Sequence, residues 1–131
     1  MVPRDAITSM LGMTSNTSLN TMKVPPKATS GQACSYVGKD NSATIILMRF
    51  ESSVAARQYL KTVRDGLEKA SIKTVTEKFG AETGFSFASG MLAVKNSTFL
   101  RVGVIPKGAT GQVSVIPDLT RQLLLVALKS N

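Results

Sequence analysis

The chain has 131 residues, 43% of them hydrophobic and 18% charged, a balance typical of one globular domain and too apolar for a disordered chain. Its longest apolar run, residues 123–128, is far shorter than the roughly 20 residues that span a bilayer, which argues against a transmembrane segment. Sixteen Lys and Arg against eight Asp and Glu give a net charge of +8, so polyanions are the partners that charge favours.

The composition also restricts the chemistry, because the chain contains no histidine and a single cysteine, Cys34. Nucleophilic triads need a base such as His, and zinc sites need clusters of Cys or His. Cys34 is therefore expected to be a small buried packing residue rather than a nucleophile. We expect no catalytic residue, no metal site and no cofactor. An enzyme that combines loop residues with a bound cofactor is the least favoured hypothesis.

The N-terminal third begins with a short predicted helix over residues 3–12, because Pro3 and Asp5 suit a first helical turn and Gly12 suits a stop. Residues 13–33 are mostly Ser, Thr, Asn and Lys with two consecutive prolines, which predicts a long polar loop. That loop is interpreted as a tolerated surface insertion, with a binding loop as the alternative.

A hairpin is predicted next, with strands over residues 33–38 and 43–50 and turn residues at 39–42. The second strand is apolar on both faces, since Ile45 and Leu47 point one way and Ile46 and Met48 the other. Such a strand lies inside its sheet or is covered on both sides.

A helix is predicted from Ser52 or Ser53 to about residue 70, with an apolar stripe at helical spacing. Arg57, Lys61 and Arg64 line the opposite flank and could contact phosphate groups or another anion. Acidic residues interrupt this trio at positions 65 and 68, so a solvated helix face is the favoured interpretation.

In the following segment, the residue pattern predicts strands over residues 73–78, 91–94 and 98–105. Residues 79–84 contain two glycines with no helix after them, so they are interpreted as a turn between strands and not as a phosphate-binding loop. Residues 113–116 are either a short strand or an extended approach to a final helix over residues 119–129. The predicted fold is α+β, with about five antiparallel strands and helices packed on them in the order α-β-β-α-β-β-β-α.

The final helix is apolar around its whole circumference, because residues 123–128 are consecutive Leu, Val and Ala. An all-round apolar helix must be covered by something. We therefore expect Leu124, Leu125 and Leu128 to form an interaction face. The 13–33 loop is the favoured cover, and a second copy of the chain, giving a homodimer, is the alternative.

A combination of short features, spread along nearly the whole chain, carries a family resemblance. These features are Leu11-Gly12, Cys34-Ser35-Tyr36, the glycine-bracketed residues 79–85, the predicted strand at 91–95 and the predicted helix that begins at Asp118. They resemble small exported, often lipoprotein-like, bacterial domains of unknown function, and the element order is similar to PsbP/Mog1-like domains. The resemblance implies export and brings no catalytic residues. The chain departs from it in showing no export signal and no lipid-attachment cysteine.

Two functional hypotheses follow. The first is a non-enzymatic binding or structural module of the bacterial cell envelope, whose partner is an unidentified protein or envelope component. The second is a small basic nucleic-acid-binding domain, which is disfavoured because no two basic residues are adjacent. We expect a periplasmic or cell-surface location if an export signal has been removed, and a cytoplasmic location otherwise.

Overall fold

A computed structural model describes residues 13–21, 23–109 and 113–131 of the chain. The predicted helix over residues 3–12 lies outside the described residues. The described part contains these elements: β1 (Met13–Thr21), β2 (Ala28–Gly38), β3 (Asn41–Phe50), α1 (Ser53–Lys69), β4 (Val75–Phe79), β5 (Glu82–Phe87), β6 (Gly90–Lys95), β7 (Thr98–Pro106) and α2 (Pro117–Ser130).

The strands form one antiparallel sheet in the order β1-β2-β3-β7-β6-β5-β4. The β7 strand lies at its centre, paired with β3 from Asn41↔Pro106 to Arg49↔Thr98 on one side and with β6 on the other. The predicted α+β class and antiparallel sheet are confirmed, but the described residues form seven strands where about five were expected. The turn predicted over residues 79–84 is shorter in the structure: Phe79 ends β4 and Glu82 begins β5, so only residues 80–81 join these two strands.

The predicted polar loop at residues 13–33 is wrong for most of its length. Residues 13–21 form β1, which pairs with β2 from Met13↔Gly38 to Thr21↔Gln32, and β2 already begins at Ala28. Strand pairing uses backbone N–H and C=O groups, so a strand at the edge of a sheet can form without an alternating apolar pattern. The polar composition therefore did not distinguish an edge strand from a loop.

The sheet carries a buried cluster on each of its two faces. Ile45 and Leu47 belong to the cluster that packs against α2, whereas Met48 and Phe50 belong to the cluster that packs against α1. The prediction that the second hairpin strand is interior and covered on both faces is confirmed. Residues 113–116 contain no strand, so they are the extended approach to α2. No helix in the described ranges is long and apolar enough to cross a membrane.

The predicted interaction face on the last helix is corrected by burial. Leu124 is fully buried and Leu128 is 4% exposed, while Leu125 is 37% exposed. The buried cluster around α2 draws on β2, β3, β4, β6 and β7, so one twisted sheet face covers a wide arc of this helix. Leu124 and Leu128 are therefore core residues of the same chain and are not available to a partner.

One glycine in α1 has no packing role. The helix starts after Ser52, whose Oγ accepts a hydrogen bond from Ala55 N at 3.1 Å. Gly66 lies inside this helix and is exposed, and a Cβ added to it would have no atom within 4 Å. Because Gly disfavours a helix interior relative to Ala, we expect Gly66→Ala to stabilise the fold by about 0.5–1 kcal/mol in urea denaturation.

A matched control is Gly108, which also has open space around it but has φ +79°. We expect Gly108→Ala to destabilise the fold by about 1 kcal/mol, because an L side chain disfavours left-handed backbone. A Gly66→Ala variant that is no more stable than the parent would contradict the explanation.

Candidate anion-binding groove

The three basic residues singled out in the sequence lie together in one groove of about 200 Å³ between α1 and the β4–β5 hairpin. We call it the basic groove. The described residues that line it are Arg57, Leu60, Lys61, Arg64, Thr76, Thr83, Gly84 and Phe85. None of these is acidic. The groove therefore combines three positive charges with two threonine hydroxyls, a set that suits an anion.

Two of the three cations have carboxylate partners outside the lining. Lys61 Nζ lies 2.9 Å from Asp65 Oδ2, and Arg64 Nε lies 3.6 Å from Glu68 Oε1. Lys61 and both carboxylates are well exposed, and exposed pairs of this kind stabilise proteins little. Arg57 is exposed and has neither a hydrogen bond nor an ion pair within the described ranges. Arg57 and Lys61 can therefore turn toward an external anion at small energetic cost.

Arg64 is held in place by the strand side of the groove. Its Nε donates to Thr74 Oγ1 at 2.9 Å and its Nη1 donates to Thr76 Oγ1 at 2.8 Å. The guanidinium Cζ also lies 5.4 Å from the centroid of the Phe85 ring, within the range of a cation–π contact. These contacts fix one positive charge at the groove.

The sequence pointed to the basic residues of this groove but not to its strand side. Thr76 was part of a predicted strand, yet nothing local placed it beside a helix that ends several residues earlier. Thr83 and Gly84 were assigned to a turn. Only the docking of α1 against β4 and β5 brings these groups together.

The single cysteine is remote from this chemistry. Cys34 is 2% exposed and belongs to the cluster under α2, so the prediction of a buried packing residue is confirmed. Burial raises the pKa of neighbouring Tyr36 to about 12, and the Cys34 thiol adds to the increase. Both side chains are part of the buried core under α2.

Comparison of the chain with protein-family models finds no match, and comparisons with curated proteins and with solved structures find none either.

Proposed function

We propose that the chain is a non-enzymatic binding module that takes a phosphate group of a bacterial cell-envelope component in the basic groove. The observation that carries this proposal is the convergence of three basic side chains in a groove whose described lining residues include no carboxylate. Several cations around one small groove suit the phosphate groups of an anionic surface, because neighbouring head groups can each pair with one of the cations. The net charge of +8 would also draw the chain toward an anionic surface.

The envelope location is the part of the proposal that rests on the sequence resemblance. Its test is the localisation of the natural full-length product by cell fractionation, together with the start of its gene. A gene that begins at Met1 and yields a cytosolic product would contradict the envelope location, whereas it would leave the anion chemistry of the groove unaffected.

Nucleic acid is the competing source of phosphate, and the lining of the groove disfavours it. Proteins that bind single strands stack bases on accessible aromatic rings. Phe85, the aromatic residue of the groove, is 1% exposed and lies under the Arg64 guanidinium. A nucleic acid would therefore find charge here without a stacking surface.

The test is a double variant, Arg57→Gln/Lys61→Gln, measured against phosphatidylcholine vesicles with and without phosphatidylglycerol. At roughly 1 kcal/mol for each basic residue near an anionic surface, we expect the variant to bind the anionic vesicles about 30-fold more weakly. The parent should bind vesicles of phosphatidylcholine alone poorly.

The matched control is Lys39→Gln/Lys107→Gln, which removes the same charge from two exposed residues outside the groove. An equal loss of binding in this control would show that net charge alone acts and would contradict the groove. Binding of inorganic phosphate and of duplex DNA is measured with the same proteins. Tighter binding of DNA than of anionic vesicles at about 50 mM salt, falling steeply with added salt, would replace the envelope proposal with the nucleic-acid one.

A further inference from the structure

Three arginines in the described part of the chain place their guanidinium groups over phenylalanine rings. In each case the Arg Cζ lies 5.1–5.4 Å from the ring centroid: Arg64 over Phe85, Arg101 over Phe87 and Arg121 over Phe79. The recurrence of one arrangement at three sites allows their remaining contacts to be compared directly.

Two of these arginines also have a carboxylate partner. Arg64 lies beside Glu68, and Arg121 Nη2 lies 2.8 Å from Glu77 Oε2. Arg101 has no ion pair and donates no hydrogen bond within the described ranges. A guanidinium group carries five N–H donors, so the polar edge of Arg101 lacks the acceptor that the other two arginines have.

Arg101 lies in a position where the lack of an ion-pair partner matters. It lies on β7, the central strand, and faces the α1 side of the sheet, because its cross-strand neighbours Ile46 and Leu92 pack in the cluster under α1. Arg101 is half-buried. Partial desolvation strengthens the attraction between Arg101 and an opposite charge relative to that of a fully exposed arginine.

Arg101 borders a depression of about 330 Å³ on this face, which we call the Arg101 depression. Its described lining offers three apolar side chains, two hydroxyl-bearing side chains and one charge: Ile46, Ile105, Val115, Thr44, Ser89 and Arg101. The volume lies at the lower end of the range of small-molecule sites, and the lining combines apolar side chains with a few polar groups as such sites do.

A glycine at the edge of the Arg101 depression lets two lining residues lie close to β7. Gly103 lies two residues from Arg101 on the same face of β7 and pairs with Thr44 of β3. A Cβ at Gly103 would meet Val115 Cγ1 and Ser89 O at 3.3 Å each, so the lack of a side chain allows residues 89 and 115, which line the depression, to pack closely on the strand.

We propose that the Arg101 depression binds a small monocarboxylate with an apolar body. The two carboxylate oxygens would accept paired hydrogen bonds from the N–H edge of Arg101, whose face is covered by Phe87, and the apolar body would lie against Ile46, Ile105 and Val115. One cation balances the single charge of a carboxylate, and the fork of N–H donors on Arg101 matches its two oxygens. This second site is independent of the function proposed for that groove.

In the experiment, the full chain is titrated with hexanoate and with benzoate, and each acid is compared with its neutral amide. Binding is measured by calorimetry and by the NMR signals of the backbone amides of Gly103 and Ile105. We expect at least one acid to bind and to shift these signals. Its amide should bind at least about tenfold more weakly, and Arg101→Gln should weaken binding of the acid by a similar factor. Arg49→Gln is the matched control, because Arg49 is exposed on the neighbouring strand β3 and lies outside the depression.

A second variant protects the test against a folding defect in Arg101→Gln. Thr44 is exposed, so Thr44→Trp should fill the Arg101 depression without changing the core, and it should abolish binding while Arg101 remains. Absence of binding by both acids, equal affinity for acid and amide, or unchanged affinity in Thr44→Trp would each overturn the proposal. The Arg57→Gln/Lys61→Gln variant should bind the acid normally, so the two proposed sites can fail separately.

Discussion

Gly84→Ala is expected to destabilise the fold by about 3 kcal/mol or more. A Cβ at this position would clash with Leu92 O and would lie 2.9 Å from Ala93 Cα. Both neighbours are backbone atoms of fully buried residues on β6, so no side-chain rotation relieves the clash. The β5 and β6 strands would have to separate at the Gly84↔Ala93 pair, and the hydrogen bonds around it would be lost.

Urea denaturation of Gly84→Ala beside Gly66→Ala measures this effect, since the same substitution is expected to have opposite signs at the two glycines. The basic groove provides a second measurement, because Gly84 lines it and a shift of β5 would also weaken anionic vesicle binding. A Gly84→Ala variant within about 0.5 kcal/mol of the parent would show that the two strands can adapt.

Leu124→Ala is expected to cost about 2–5 kcal/mol of folding stability, in the range of large-to-small substitutions in a packed core. Leu124 is fully buried in the cluster formed by α2 and the sheet, so truncation removes contacts within one chain. The neighbouring Leu125, at 37% exposed, supplies the matched control. Leu125→Ala should change stability by only about 0.5 kcal/mol.

Denaturation combined with light scattering distinguishes this explanation from the interaction face that the sequence suggested. If Leu124 were an interface residue, Leu124→Ala would keep the stability of the protomer and convert an oligomer of the parent into monomers. We expect the reverse: a clear loss of stability with no change in oligomeric state at concentrations where the variant remains folded.

The sequence determined those features of the fold that depend on neighbours along the chain. The start of α1 after its Ser52 cap, the hairpin strand with two apolar faces and the turn between β4 and β5 all follow from side-chain period, capping and turn chemistry. The basic trio was also visible, because residues 57, 61 and 64 recur at helical spacing. Periodicity describes one element at a time, and these features belong to single elements or to adjacent pairs.

The tertiary structure decided what depends on partners distant in the chain. β1 is a strand because β2 offers it backbone hydrogen bonds, although its composition resembles a loop. Leu124 and Leu128 are core residues because their buried cluster includes side chains from five strands of one sheet, and no helical wheel contains that information. That Arg101 has no counter-charge among the described residues likewise depends on which carboxylates the fold brings near it. Burial and charge pairing are properties of the packed sheet, and local pattern cannot specify them because they are set by residues far away in sequence.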